Sequence, residues 1–148
     1  MQRALVVVDD ADTHRTLLRE AGELAAGVGA GLLLLHFEAS DQVDESQEQF
    51  AETEGVSVVE ETLRSGQEFV SEFADDALAD LDVEYETAAA IVEEGERADE
   101  ILGAADRHDC DHVFLVGQKR SPTGKAIFGD VAQAVILNFE GPVTTLTA

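Results

Sequence analysis

Lysine is nearly missing from this chain: Lys119 and Lys125 are the only two in 148 residues. Lys and Arg together number 9 against 32 Asp and Glu, a formal net charge of -23. So few cations exclude the usual modes of binding nucleic acid and anionic membrane, because both need clustered basic side chains. Tryptophan is absent and aromatics make up 5%, so the core has to be built from Val, Leu, Ala and Ile. Cys110 is the only cysteine. An internal disulfide is therefore excluded, and the residue reads as a small buried hydrophobe ahead of a strand. No apolar run approaches the ~18 residues of a membrane span. Met1-Gln2-Arg3 leads straight into the apolar run Ala4–Val8 without a signal-peptide pattern, so a cytoplasmic protein is expected.

Hydrophobic residues nevertheless make up 45% of the chain, which argues for a packed core despite the acidity. The length fits one domain over residues 1–148, long enough to bury about two-thirds of its unfolded surface. A surface this acidic fits a protein kept soluble in concentrated salt, where screening removes the self-repulsion. A halophilic protein is expected. Full stability in ~10 mM salt, where the Debye length reaches about 30 Å, would contradict that.

The apolar residues fall into alternating blocks. Ala4–Val8, Leu32–Phe37, Val83–Val92, His112–Gly117 and Val143–Leu146 read as strands, the first of them a continuous apolar run. Leu17, Leu18, Ala21, Leu24, Ala25 and Val28 recur at helical spacing, in a helix that starts near Asp10 or Asp12 and stops at Gly27 and Gly29. Further helices are expected over Val59–Ala77, Ala98–Ala105 and Ile127–Leu137, with a polar, acidic loop at Ser40–Gly55. The order β-α-β-α-β-α-β-α-β predicts an α/β fold: a parallel sheet covered by helices on both faces. Ligands of such sheets bind at the C-terminal strand ends, where strand order reverses. Three loops are expected there: Asp9–Asp12, Phe37–Asp41 and Gly117–Gly129.

The last of these loops holds three of the nine cations, Lys119, Arg120 and Lys125, among Gly117, Gly124 and Gly129. Glycines let backbone N–H groups approach an anion, and the following helix N-terminus adds a favourable dipole. A phosphate-like anion is the expected ligand. A P-loop is excluded: six residues separate Gly117 from Gly124, and Ala126 follows Lys125. No GxGxxG is present either. His14, His108 and His112 lack metal-ligand spacing, so no metal site is expected. The carboxylates are too numerous for any pair to signal acid/base chemistry, and no catalytic residue is assigned.

Several segments together resemble the universal stress protein family over nearly the whole chain. They are Val6-Val7-Val8-Asp9, Leu34-Leu35-His36-Phe37, Glu94-Gly95-Glu96-Arg97-Ala98, Asp111-His112-Val113-Phe114-Leu115-Val116-Gly117, Gly129 with the helix after it, and Gly141-Pro142-Val143. The resemblance implies a Rossmann-like, five-stranded parallel sheet in the order 3-2-1-4-5. It implies homodimers in many members and binding of ATP in some. Asp9 then matches an acidic residue that contacts ribose or adenine, and Phe37 a residue that meets the base. The ATP-binding members carry Gly-x2-Gly-x9-Gly-Ser/Thr in the fourth-strand loop. Gly117 matches its first glycine, Arg120 replaces the second, eight residues instead of nine precede Gly129, and Asp130 replaces the hydroxyl. Asp130 is expected to cap the helix that follows and to repel phosphate.

The sequence thus predicts a non-catalytic stress-response or regulatory binding module with weak or lost binding of ATP or AMP. Two alternatives stand beside it. One is an ATP-binding member of the family with slow or no hydrolysis. The other is a receiver-like signalling domain using Asp9-Asp10 for Mg²⁺, against which no Asp follows the third strand. The partner expected is a second copy. Val143, Thr144, Thr145 and Leu146 form an uncharged edge strand open to antiparallel self-pairing. Val143 and Leu146 are expected to bury apolar surface in that contact, roughly 1.5–3 kcal/mol each if fully covered.

Overall fold

The computed structural model describes residues 1–40, 58–117 and 129–147. The elements run β1 Arg3–Val7, α1 Asp12–Val28, β2 Gly31–Ala39, α2 Val58–Ala77, β3 Tyr85–Val92, a 3-10 turn Glu94–Glu96, α3 Arg97–Arg107, β4 His112–Gly117, α4 Asp130–Asn138 and β5 Val143–Thr147. All five strands are parallel, in the order β3-β2-β1-β4-β5. The expected loop after Ser40 and the Ile127–Phe128 start of the fourth helix lie outside the described residues.

Register explains why the central strands are apolar on both faces. Leu5 pairs with Leu33 and Val113, while Val6 pairs with Leu34 and Phe114. Successive side chains point to opposite faces, so each row feeds a different core. Val6, Leu34 and Phe114 join Leu17, Leu18, Ala21, Val70 and Ala74 of α1 and α2. Leu5, Leu33 and Val113 join Ile101, Ala104, Ala132 and Val135 of α3 and α4. Both faces are thereby covered. Each fully buried Leu or Val contributes about 1.5–3 kcal/mol relative to exposure.

Three local boundaries differ from the sequence-based expectation. Gly27 lies inside α1, and it is Gly29, at φ 73°, that closes the helix with its N–H on the Ala25 carbonyl. Tyr85 begins β3, two residues later than expected, although Val83 still packs on the core and Leu32 donates to the Glu84 carbonyl at 3.0 Å. At α4, Gly129 is the N-cap and Asp130 the first helical residue, so Asp130 is not the cap. Its carboxylate still sits in the first turn, within reach of the helix dipole.

Candidate functional site

Strand order reverses at β1. The chain leaves β1 for β2 on one side and returns from β3 to β4 on the other. A cleft of about 520 Å³ opens at the C-terminal ends of these strands, within the ~300–1,000 Å³ of small-molecule sites. Val7, Phe37, Ile101, Leu115, Val131 and Ala132 give it an apolar lining. Asp9, Glu94, Arg97 and Asp130 bring charge to it.

Each element delivers its part for a local reason. β1 ends at Val7, and the chain turns out through Asp9, whose exposed carboxylate accepts the Asp10 N–H at 2.8 Å. α1 begins at Asp12 behind Ala11, which offers no side-chain cap. His14, in the first turn of α1, lines the cleft, and its Nδ1 donates to the Val7 carbonyl at 3.1 Å. Phe37 comes from β2 on the face covered by α3 and α4. Arg97 opens α3, and its guanidinium carbon lies 5.6 Å from the Phe37 ring centroid, inside the ~6 Å reach of a cation–π contact. Gly129 and Asp130 bring in the start of α4.

Of the residues assigned from sequence, Asp9, Phe37, Gly129 and Asp130 converge on this cleft. Gly117 closes β4, buried and in register with Thr147, and is not among the described lining residues. Lys119, Arg120, Gly124 and Lys125 lie outside the described residues. Val143, Thr144, Thr145 and Leu146 are in β5 at a sheet edge. His36, 7% exposed, is turned away from the cleft: its Nδ1 donates to the Val8 carbonyl at 2.9 Å, and its Nε2 lies 3.2 Å from Glu38. Among the described residues no cluster of His, Cys, Asp and Glu could hold a metal ion, and no helix is long and apolar enough to cross a membrane.

Sequence reasoning missed Glu94, Gly95 and Arg97 as site residues. It counted the loops after the first, second and fourth strands and omitted the one after the third. The signal was present: in a parallel sheet every strand delivers its C-terminal end to the same edge, and the segment Glu94–Ala98 directly follows β3.

A doubly wound parallel sheet with a cleft at its switch point defines a class of small-ligand-binding α/β proteins. The model of the Universal stress protein family matches residues 1–146, and the chain belongs to that family. Among solved structures, a universal stress protein from Archaeoglobus fulgidus is 24% identical, with 98% of each chain covered and a TM-score of 0.67. A universal stress protein in complex with cAMP is 17% identical over 99% of this chain and 96% of that one, at a TM-score of 0.63. The Archaeoglobus fulgidus universal stress protein in complex with dAMP is 19% identical over 98% of this chain and 97% of that one, at 0.60. At such identities the likeness is one of fold. No curated protein matches the chain.

Proposed function

We propose that this member of the family is a non-catalytic regulatory binding module of the cytoplasm that takes an adenine nucleotide, weakly, in the cleft at the β1/β4 switch point. One observation carries the reading: a cleft of about 520 Å³ at that point gathers Asp9, Phe37, Gly129 and Asp130 from three separate stretches of chain. Phe37 offers the base an aromatic surface, Asp9 offers ribose hydroxyls an acceptor, and the start of α4 offers phosphate a helix N-terminus. The weakness has a cause in the same lining. Asp9, Glu94 and Asp130 add negative charge to a site for an anion. Related proteins of this fold hold cAMP and dAMP, which supports the adenine part of the proposal.

Calorimetry with ATP and AMP in concentrated salt tests it. ATP is expected to bind more weakly than about 100 µM, or about 5.5 kcal/mol, and Asp130→Ser to strengthen it. Low-micromolar ATP affinity in the unaltered protein would overturn the weak-binding reading.

The same proposal includes a homodimer through β5, and three observations support it. β5 is an edge strand whose five residues, Val143 to Thr147, carry no charge. Ile136 and Leu137 of α4 are 42% and 74% exposed. α4 shares a core cluster with Val143, so this apolar surface lies near the edge. Val143 and Leu146 already pack on opposite cores of their own sheet. They therefore have less surface to bury against a partner than full coverage assumes, and Val143→Lys would damage the fold as well as the edge.

A further inference from the structure

We infer that His14 is a phosphate-binding residue of the cleft and makes ligand capture depend on pH: as an imidazolium it donates its Nε2–H to the phosphate of a nucleotide. This rests on the nucleotide reading above and adds to it a residue that holds the phosphate and the condition under which it does so.

The ring is held in one tautomer. His14 stands in the first turn of α1, half-buried, and lines the cleft. Its Nδ1 lies 3.1 Å from the Val7 carbonyl oxygen. A carbonyl oxygen only accepts, so Nδ1 carries a proton, and Nε2 holds the lone pair whenever the ring is neutral. Nε2 makes no hydrogen bond among the described residues. It is also reachable: the side-chain nitrogen that is both buried and unmatched among the described residues is Nε of Arg97, not Nε2 of His14. A neutral ring therefore offers the cleft a lone pair, which a phosphate oxygen cannot use. Only when Nε2 takes a second proton does the ring become a charged donor. Imidazole is the side chain that ordinarily makes this change between about pH 5 and 8.

Position and charge select phosphate. α1 follows β1 and α4 follows β4, and these two strands are neighbours in the sheet, about 4.8 Å apart. The imidazole and the N-terminus of α4 both line the cleft at these adjoining strand ends, so one anion can meet both. The other charged groups of the lining are Asp9 of the β1–α1 turn, Glu94 of the 3-10 turn, Arg97 of α3 and Asp130 of α4. Asp10 and Asp12 precede His14 in the chain. Arg97 is engaged over Phe37, on the β2 side. The three lining carboxylates leave the cleft negative, and a proton on His14 offsets part of that charge next to the α4 N-terminus.

AMP and adenosine are titrated by calorimetry into the unaltered protein and His14→Asn in concentrated salt, at about pH 5.5 and about pH 8. The asparagine amide keeps a donor for the Val7 carbonyl but has no nitrogen that titrates, and melting temperatures establish that both proteins are folded. Comparing the two proteins at one pH cancels the phosphate's own titration near about pH 6. At the lower pH the unaltered protein should bind AMP about tenfold more tightly than His14→Asn. At the higher pH the two should agree within about twofold. Adenosine, which has no phosphate, should bind the two proteins equally at both. An AMP ratio that does not change with pH would overturn the inference and leave the nucleotide reading intact. A pH-dependent ratio shared by adenosine would make His14 a ribose or base contact and overturn the phosphate assignment. An unaltered protein that binds neither ligand would overturn both readings. A second readout needs no variant. Saturation with AMP should move the titration midpoint of the His14 ring protons to higher pH, because binding and protonation favour each other by the same factor. An unmoved or lowered midpoint at saturation would refute the proposal.

Discussion

Gly141→Ala and Gly27→Ala should move stability in opposite directions, and the structure gives the size of each. Gly141 has φ 150°, a conformation that side-chain-bearing residues rarely adopt. Forcing alanine there costs about 1–3 kcal/mol. A Cβ at this position would also lie 2.9 Å from the Asp111 carbonyl oxygen and 2.9 Å from Cε2 of Phe139. The first contact is with backbone that cannot easily move: the Asp111 N–H donates to the Arg3 carbonyl at 2.9 Å, and its carboxylate accepts the N–H groups of Gln2 and Arg3. Overpacking of this kind adds roughly 1–3 kcal/mol. A total near 3 kcal/mol corresponds to a melting temperature about 6–12 °C lower in a chain of this size. Gly27, by contrast, lies inside α1 and has nothing within 4 Å of a Cβ. Alanine there gains about 0.5–1 kcal/mol of helix propensity, or about 1–4 °C. Thermal unfolding followed by circular dichroism at one fixed salt concentration reads both. A Gly141→Ala protein melting within about 2 °C of the unaltered one would show that the β4–β5 junction is not as tight as described. A Gly27→Ala protein that melts earlier would refute the open space around α1.

Other outcomes follow from single sites. Cys110 is 8% exposed, and burial above all pushes its thiol up to about 11. At pH 8 about one molecule in a thousand carries a thiolate, so Ellman's reagent should react far faster after unfolding in guanidinium; equal rates would contradict the burial. His112 stacks on Phe114 at 4.5 Å and contacts the Thr144 hydroxyl at 2.8 Å; burial lowers its pKa, with Asp111 opposing. The unfolded chain therefore takes up this proton first as pH falls. The His112 contribution is complete above about pH 6.5 and declines from there toward the lower folded value. His112→Asn should make the fall in melting temperature between about pH 7.5 and 5.5 shallower, and an identical slope would exclude His112 as its source. At the edge strand, the Val113 N–H donates to the Pro142 carbonyl, which sets the phase of the parallel ladder and leaves the Thr145 N–H on the outer side. Thr145→Pro removes that donor, and light scattering in high salt should show a dimer becoming a monomer. A dimer of unchanged affinity would place the interface elsewhere.

Much of the fold was legible because burial on two faces leaves a strong mark. Leu32–Leu35 has to be apolar at every position when odd residues feed one core and even residues the other, and the alternation with helices then fixes a parallel sheet. The boundaries were less legible. Gly27 and Gly29 look alike in sequence, but only Gly29 takes a positive φ, and chain geometry rather than residue type decides which glycine ends a helix. Val83 and Glu84 are strand-like in composition, yet pairing with β2 begins at Tyr85. At the site, Asp9, Phe37 and Asp130 were singled out by the family resemblance, and Gly129 by the resemblance and by the glycine-bearing cationic loop that it closes. Arg97 escaped notice because its significance is relational. An arginine in the run Glu94–Asp99 looks solvated among acids, and only the structure shows it unpaired over Phe37.

The central claim is that the cleft at the β1/β4 switch point is an adenine-nucleotide site. Its most direct test is a ¹H–¹⁵N NMR titration of the unaltered protein with AMP in concentrated salt, with every shifted amide assigned. Saturable shifts are expected at Asp9, Phe37, Gly95, Arg97, Gly129 and Val131, which line the cleft or lie in it. The amides of α2, which packs on the other face of the sheet, should stay in place. No saturable shift up to about 10 mM AMP, weaker than about 3 kcal/mol, or shifts centred away from these residues, would contradict the claim.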